Sequence, residues 1–274
     1  MLLKSTVGLA AIVLPFTNAC PDHNLRQKRQ SDSKLDWSYG NGDNANNWGH
    51  INPDYETCAI GTQQSPISLY GLEGYSERHT PKFDYPSSVE GVFANSGNSL
   101  IFTVTPPDDI TTLPSVKFQE SDDSDPEEVY LVGWHTHAPS EHMIDGQKAR
   151  AEMHFVHVDA VENFRSVFSF LINPSNGTQS AFFDQLDQPF PAIGSDDEET
   201  SKVDLNLALN DIGGFDKFWT YHGSLTTPPC TEGLRWFVAK EPLLVDTDML
   251  QEILRVSMYS ARPVQQMWMQ GVNE

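Results

Sequence analysis

Apolar and polar positions alternate along much of this chain in short runs, the pattern of strands with one face turned to a core. Five runs fit it best, at residues 99–105, 128–137, 150–158, 165–172 and 233–238, with turn residues between them. Helical periodicity is confined to a short run at 181–185 and a better one at 247–257, where Asp246 stands as a plausible cap. Residues 30–66 are rich in Gly, Asn, Asp, Trp and Pro and carry little period. They predict an ordered coil wrapping the surface, with Trp37, Tyr39 and Trp48 as anchors. The pattern as a whole predicts a predominantly β domain.

The N-terminus alters this picture by adding segments that are not part of the fold. Lys4 ends a short basic stretch, residues 5–16 are apolar, and Thr17-Asn18-Ala19 offers small residues for cleavage, so residues 1–19 read as a signal peptide. Residues 20–29 read as a propeptide ending at the dibasic Lys28-Arg29 of a eukaryotic secretory pathway, and 30–274 as the folded domain. A lipid anchor at Cys20 is the weaker alternative, because Thr17 stands where a branched apolar residue is expected. No later run approaches the ~18 consecutive apolar residues of a membrane span.

The formal charge of −21 makes nucleic acid and anionic membranes poor partners. The acidic runs 120–128 and 195–199 are expected as solvated loops. Loss of Cys20 with the leader leaves Cys58 and Cys230, an even pair that in an oxidising compartment most simply forms one disulfide. Closing a loop of about 170 residues would stabilise by roughly 4–5 kcal/mol on the chain-entropy model. Asn176-Gly177-Thr178 is an acceptable glycosylation sequon in a polar, turn-rich setting. Together these features predict a secreted, extracellular protein.

Chemistry is concentrated in Gly133-Trp134-His135-Thr136-His137 and in Glu152-Met153-His154. Side chains at i and i+2 of a strand share a face. His135 and His137 can therefore converge, and His154 can join them from an antiparallel neighbour. Three imidazoles and an open fourth position describe a catalytic zinc site, whereas a structural site is closed by four protein ligands. Glu152, two residues before His154, is placed to accept that histidine's other N–H. The plainer alternative is a chance histidine pair in a half-buried sheet.

Further motifs carry a resemblance: Tyr39-Gly40, Gln64-Ser65-Pro66-Ile67, Asn95-Ser96-Gly97, Gly223-Ser224-Leu225-Thr226-Thr227-Pro228-Pro229 and Arg262-Pro263. With the histidine segments they make residues 37–266 resemble a secreted carbonic anhydrase of the alpha class, of fungal or other eukaryotic type. The resemblance implies a mainly β (α+β) fold, a single domain around a large central twisted, mostly antiparallel sheet with a few short surface helices. It implies reversible zinc-dependent hydration of carbon dioxide to bicarbonate and a proton through a zinc-bound hydroxide, and allows weak ester hydrolysis beside it.

On this reading His135, His137 and His154 hold Zn2+, and Thr226 accepts from the hydroxide while donating to Glu141. Thr227 contacts bicarbonate, and Val156, Val167, Leu225 and Trp236 form the apolar wall for carbon dioxide, ordinary core being their plainer reading. A Cys58–Cys230 bridge would clamp the Thr226 loop, while His142 and His157 are structural and His23, His50 and His79 lie at the surface.

Two positions depart from the family pattern. Asn98 stands where fast members carry a proton-shuttling histidine, and an amide does not titrate near neutrality. His222 is a candidate substitute relay. Gly133 stands where many members carry a glutamine that supports the first ligand, so His135 needs another acceptor. A binding module without zinc is disfavoured by the complete ligand set, and another zinc hydrolase by the absence of H-E-x-x-H. Oligomeric state is not legible in the sequence.

Overall fold

The computed structural model describes residues 36–40 and 44–274. The proposed signal peptide and propeptide, with Cys20 and His23, lie outside the described residues.

An 11-stranded mixed sheet dominates. Its main path runs Glu199–Val203, Val89–Asn95, Leu100–Val104, Pro126–His137, Ala151–Val158, Phe164–Pro174, Glu232–Ala239, Phe218–Ser224. Most pairings are antiparallel; Phe164–Pro174 runs parallel to both Glu232–Ala239 and Leu243–Val245. The five predicted strands and both predicted helices are present, and the fold is the mainly β architecture expected.

Central strands bury both faces, and the two faces do different work. Along Ala151–Val158 every residue is buried. Ala151, Met153 and Phe155 belong to the main apolar core, with Trp134, Phe168 and Phe170 from neighbouring strands. Glu152, His154 and Val156 alternate onto the opposite face. Thr247–Ser257 closes the core with Met249, Leu250, Ile253 and Val256, the spacing of one helical face. Asp246 caps it by accepting from the Met249 N–H at 2.8 Å, as the sequence predicts.

Several expectations need correction. Residues 30–66 are not plain coil where described, since short helical turns occupy Trp48–Ile51, Pro53–Tyr55 and Thr57–Ile60. Trp37, Tyr39 and Trp48 do anchor this segment, packing edge to face with centroids 5.2–5.6 Å apart. The acidic runs are only partly solvated loops. Glu120 receives a bidentate pair from the buried Arg235 at 2.8 and 2.9 Å, and Glu127 pairs with Arg165. Residues 126–128 and Glu199 lie within strands. His79 is buried, its ring nitrogens 2.5 Å from the Gln119 carbonyl and 2.9 Å from that of Glu274, whereas His50 is exposed as expected.

Candidate metal centre

Strand register assembles the three histidines. His135 lies directly opposite His154 across the antiparallel pair, and His137 lies opposite Glu152. Because i and i+2 share a face, all four side chains emerge together. One ring nitrogen from each histidine lies within 4.8 Å of the others, and all three residues are buried. This donor set can hold a metal ion.

The far nitrogens fix which atoms face inward. His137 Nδ1 donates to the Ser260 carbonyl at 2.6 Å, leaving its Nε2 buried without a hydrogen-bond partner. His154 Nε2 donates to Glu152 Oε1 at 2.7 Å, which turns Nδ1 toward the cluster. An orphaned buried nitrogen costs free energy unless something fills the space beside it. Burial pushes the His137 pKa down to about 4, despite the Ser260 carbonyl, and also lowers that of His154. Both rings are therefore neutral near pH 7, as metal ligation requires.

Glu152 is the hub beneath them. Oε1 accepts from His154 Nε2, His142 Nδ1 and Ser169 Oγ at 2.6–2.7 Å, and Oε2 accepts from the backbone N–H of Glu141 and His142 at 2.7 and 2.8 Å. Burial works against its charge, but the partner histidines prevail and hold the carboxyl well below the usual range.

Glu141 is fully buried at the edge of the cluster. Its Oε1 accepts from the Arg262 N–H at 2.8 Å. Its Oε2 lies 3.6 Å from His137 Nε2 and 4.0 Å from His154 Nδ1 and makes no well-formed hydrogen bond. Burial raises the carboxyl to about 7; His154, the nearby Thr226 hydroxyl and the Arg262 N–H oppose that rise.

Thr226 and Thr227 are buried in the loop between two paired strands, Phe218–Ser224 and Glu232–Ala239. The loop is pinned by Leu225 N–H to the Thr231 carbonyl and Cys230 N–H to the Thr227 carbonyl, both at 2.9 Å. The Cys58–Cys230 disulfide fixes its far end across 172 residues.

Val156, Val167 and Trp236 stand in one row across three strands. Trp236 and Val167 share an apolar cluster with Leu225, while Val156 packs against Val132 and Val158. The Trp236 ring lies 4.9 Å from that of His154, so this wall adjoins the histidines.

Asn98 is half-buried in the turn before Leu100–Val104, and the next residue, Ser99, donates its hydroxyl to the Thr136 carbonyl of the histidine strand. His222 does not reach the cluster. Tyr221 points inward, its hydroxyl 2.8 Å from His142 Nε2, so His222 projects from the opposite face. There its Nε2 accepts from Arg235 at 2.7 Å and lies 3.1 Å from Glu120. Strand alternation rules out the relay suggested for it.

The sequence reading missed Ser260, whose carbonyl orients His137, and the backbone of Arg262, which holds Glu141. Main-chain contributions leave no side-chain signature to read.

Comparison with known proteins follows the same lines. A family model described as eukaryotic-type carbonic anhydrase matches residues 43–271. A carbonic anhydrase of Klebsiella pneumoniae is 29% identical over 234 residues, 84% of this chain and 87% of that protein. The structure of a fungal alpha carbonic anhydrase from Aspergillus oryzae superposes with a TM-score of 0.71 at 27% identity, covering 85% of this chain and 95% of that one. The alpha carbonic anhydrase of Thermovibrio ammonificans, solved with the inhibitor sulfanilamide, gives 0.70 at 27% identity, covering 86% and 97%.

Proposed function

The chain belongs to the eukaryotic-type carbonic anhydrase family and catalyses the zinc-dependent reversible hydration of carbon dioxide, and we propose that His135, His137 and His154 are the residues that hold its zinc. The observation that carries this assignment is the buried, unpartnered Nε2 of His137, aimed at the same space as its two neighbours. Held by three neutral imidazoles, zinc would supply a Lewis acid and a nucleophile drawn from water at neutral pH, as in the standard case of carbonic anhydrase.

The chain's own residues then orient and desolvate. Glu141, anchored at Oε1 by the Arg262 N–H, keeps Oε2 to receive the Thr226 hydroxyl proton. A hydroxyl that donates in one direction keeps its lone pairs for a donor in another. Thr226 would thereby accept from the nucleophile's O–H and orient it toward the substrate. Thr227 is assigned the contact with bicarbonate. Val156, Val167, Leu225 and Trp236 offer carbon dioxide a dry wall, which a small apolar gas needs more than polar anchors.

Proton export is the weak step in this chain. Asn98 cannot relay a proton near neutrality, and His222 faces away from the cluster. Turnover at low buffer is therefore limited by proton release.

We read the protein as secreted from a eukaryotic cell and glycosylated at Asn176. Its leader-like N-terminus, the Lys28-Arg29 site, the Cys58–Cys230 bridge and the exposure of Asn176 support this. Among the described residues no helix is long and apolar enough to cross a membrane.

Stopped-flow carbon dioxide hydration combined with zinc analysis tests the ligand assignment. His137→Ala is expected to lose both stoichiometric zinc and activity; a variant that keeps either one overturns it.

A further inference from the structure

The outer side of the segment that follows His137 is a groove of about 470 Å3, lined by none of the residues assigned to the reaction. Its floor is the Ala138–Pro139 segment. Ala138 is locked to Ser260 by two hydrogen bonds, Ser260 N–H to the Ala138 carbonyl at 2.9 Å and Ala138 N–H to Ser260 Oγ at 3.1 Å. The floor is thus rigid, a condition for a preformed site.

Three large apolar side chains stand open along one wall: Leu254 at 37% exposure, Met258 at 62% and Tyr259 at 61%. They are contiguous at the end of the last helix. Met258 has φ +43°, a left-handed conformation unfavourable for a side chain of its size. Strain of this kind persists only where the surroundings enforce it, and here it holds an apolar side chain out to solvent. Clustered exposed apolar surface marks a binding site more often than scattered single residues do.

Charge decides what fits. Lys148 and Arg150 also line the groove, and no carboxylate does. In a chain with 38 acidic and 17 basic residues, two cations together without an acid are unusual. Lys148 Nζ donates to the Ser140 carbonyl at 2.7 Å, which fixes its ammonium at the rim with donors to spare. Among the described residues no carboxylate pairs with the Arg150 guanidinium. Exposed apolar side chains in one groove with two cations, one of them without a counter-ion among the described residues, are complementary to a molecule with a hydrocarbon body and one anionic head.

We propose that this groove is a binding site for a small amphipathic carboxylate, its tail against Leu254, Met258 and Tyr259 and its head between Arg150 and Lys148. The guanidinium takes the carboxylate through paired N–H donors, and the ammonium adds a point charge.

The test uses the zinc-loaded, full-length protein with 13C-labelled methionine methyl groups, titrated with octanoate. A saturable shift of the Met258 methyl is expected, with Met267 and Met269, exposed elsewhere, unmoved. Acetate, which has only the head, and octanol, which has only the tail, should each bind at least about tenfold more weakly. Arg150→Gln should weaken octanoate about tenfold, the loss of one charge-assisted contact, while leaving carbon dioxide hydration unchanged. Tyr259→Ala tests the apolar wall separately.

Three results would overturn the proposal. One is octanoate binding that is equally tight in Arg150→Gln. Another is inhibition of carbon dioxide hydration by octanoate with the Met258 methyl unmoved, which would place the anion at the zinc. The third is a Met258 signal that moves with protein concentration but not with octanoate, which would mean that a second copy of the chain covers the groove.

Discussion

The Nε2–H of His154 ends on Oε1 of Glu152, 2.7 Å away, and that carboxylate accepts four further hydrogen bonds. Carboxylate oxygens can accept all five, whereas an amide has one acceptor oxygen and presents donors on its other side. Glu152→Gln therefore sets an NH2 group against N–H donors in a site with no water access. Removing such a partner of a metal-ligating histidine typically lowers metal affinity by about 10- to 100-fold. Competition with a zinc chelator should show a loss in that range, and urea unfolding should show a native state weaker by about 2 kcal/mol. Wild-type zinc affinity in the variant would remove Glu152 from the supporting role assigned to it.

Asn98 offers a gain-of-function test. Its turn is tied to the histidine strand through Ser99 and the Thr136 carbonyl. An imidazole, unlike an amide, titrates near neutrality and can pass protons to buffer. Asn98→His should raise kcat at low buffer concentration and converge with wild type as buffer rises. An unchanged kcat at low buffer would mean that proton release is not limited at this position.

Legibility in the sequence followed side-chain patterning. The shared face of His135 and His137 is legible because side chains alternate with a period of two, whereas the register that sets His135 opposite His154 comes from strand pairing and is seen only in the fold. Val89–Asn95, Ser115–Gln119 and Phe218–Ser224 were not read as strands, since each is interrupted by Gly, Lys or His at positions the sheet nonetheless accommodates. The pairing of Glu120 is not legible locally, because its partner, Arg235, is 115 residues away and ion pairing leaves no local mark. The case of His222 has a different physical reason. Its position beside the Thr226 loop suggested proximity, but one step along a strand reverses the face.

The Cys58–Cys230 bridge links the aromatic N-terminal segment to the Thr226 loop. The Cys58 carbonyl accepts from Arg262 at 3.2 Å, and the backbone N–H of Arg262 holds Glu141, so both ends of the bridge touch residues that orient the reaction. A closed loop with a sequence separation of 172 contributes about 5 kcal/mol on the chain-entropy model. Cys58→Ser/Cys230→Ser should lose stability of that order in urea. It should also lose kcat well below the unfolding midpoint, as the Thr226 loop loosens. Loss of stability with kcat intact would confine the bridge to a structural role.

His157 sets an acid limit that is independent of the metal. It is fully buried, with Nε2 accepting from the Tyr85 hydroxyl at 2.8 Å, and burial pushes its pKa down to about 3. In the unfolded chain the same imidazole titrates near 6.5. Below that value the unfolded state binds a proton that the folded state refuses, so stability is full at neutral pH and falls as pH decreases from about 6.5 toward 3. Each pH unit in this window costs up to about 1.4 kcal/mol from this group alone. Between pH 7.5 and 5.0 the zinc-loaded protein should therefore lose about 2 kcal/mol more, by urea unfolding, than a His157→Gln variant, whose amide can still accept from Tyr85. Parallel pH profiles for the two proteins would show that His157 is not the group that sets the limit.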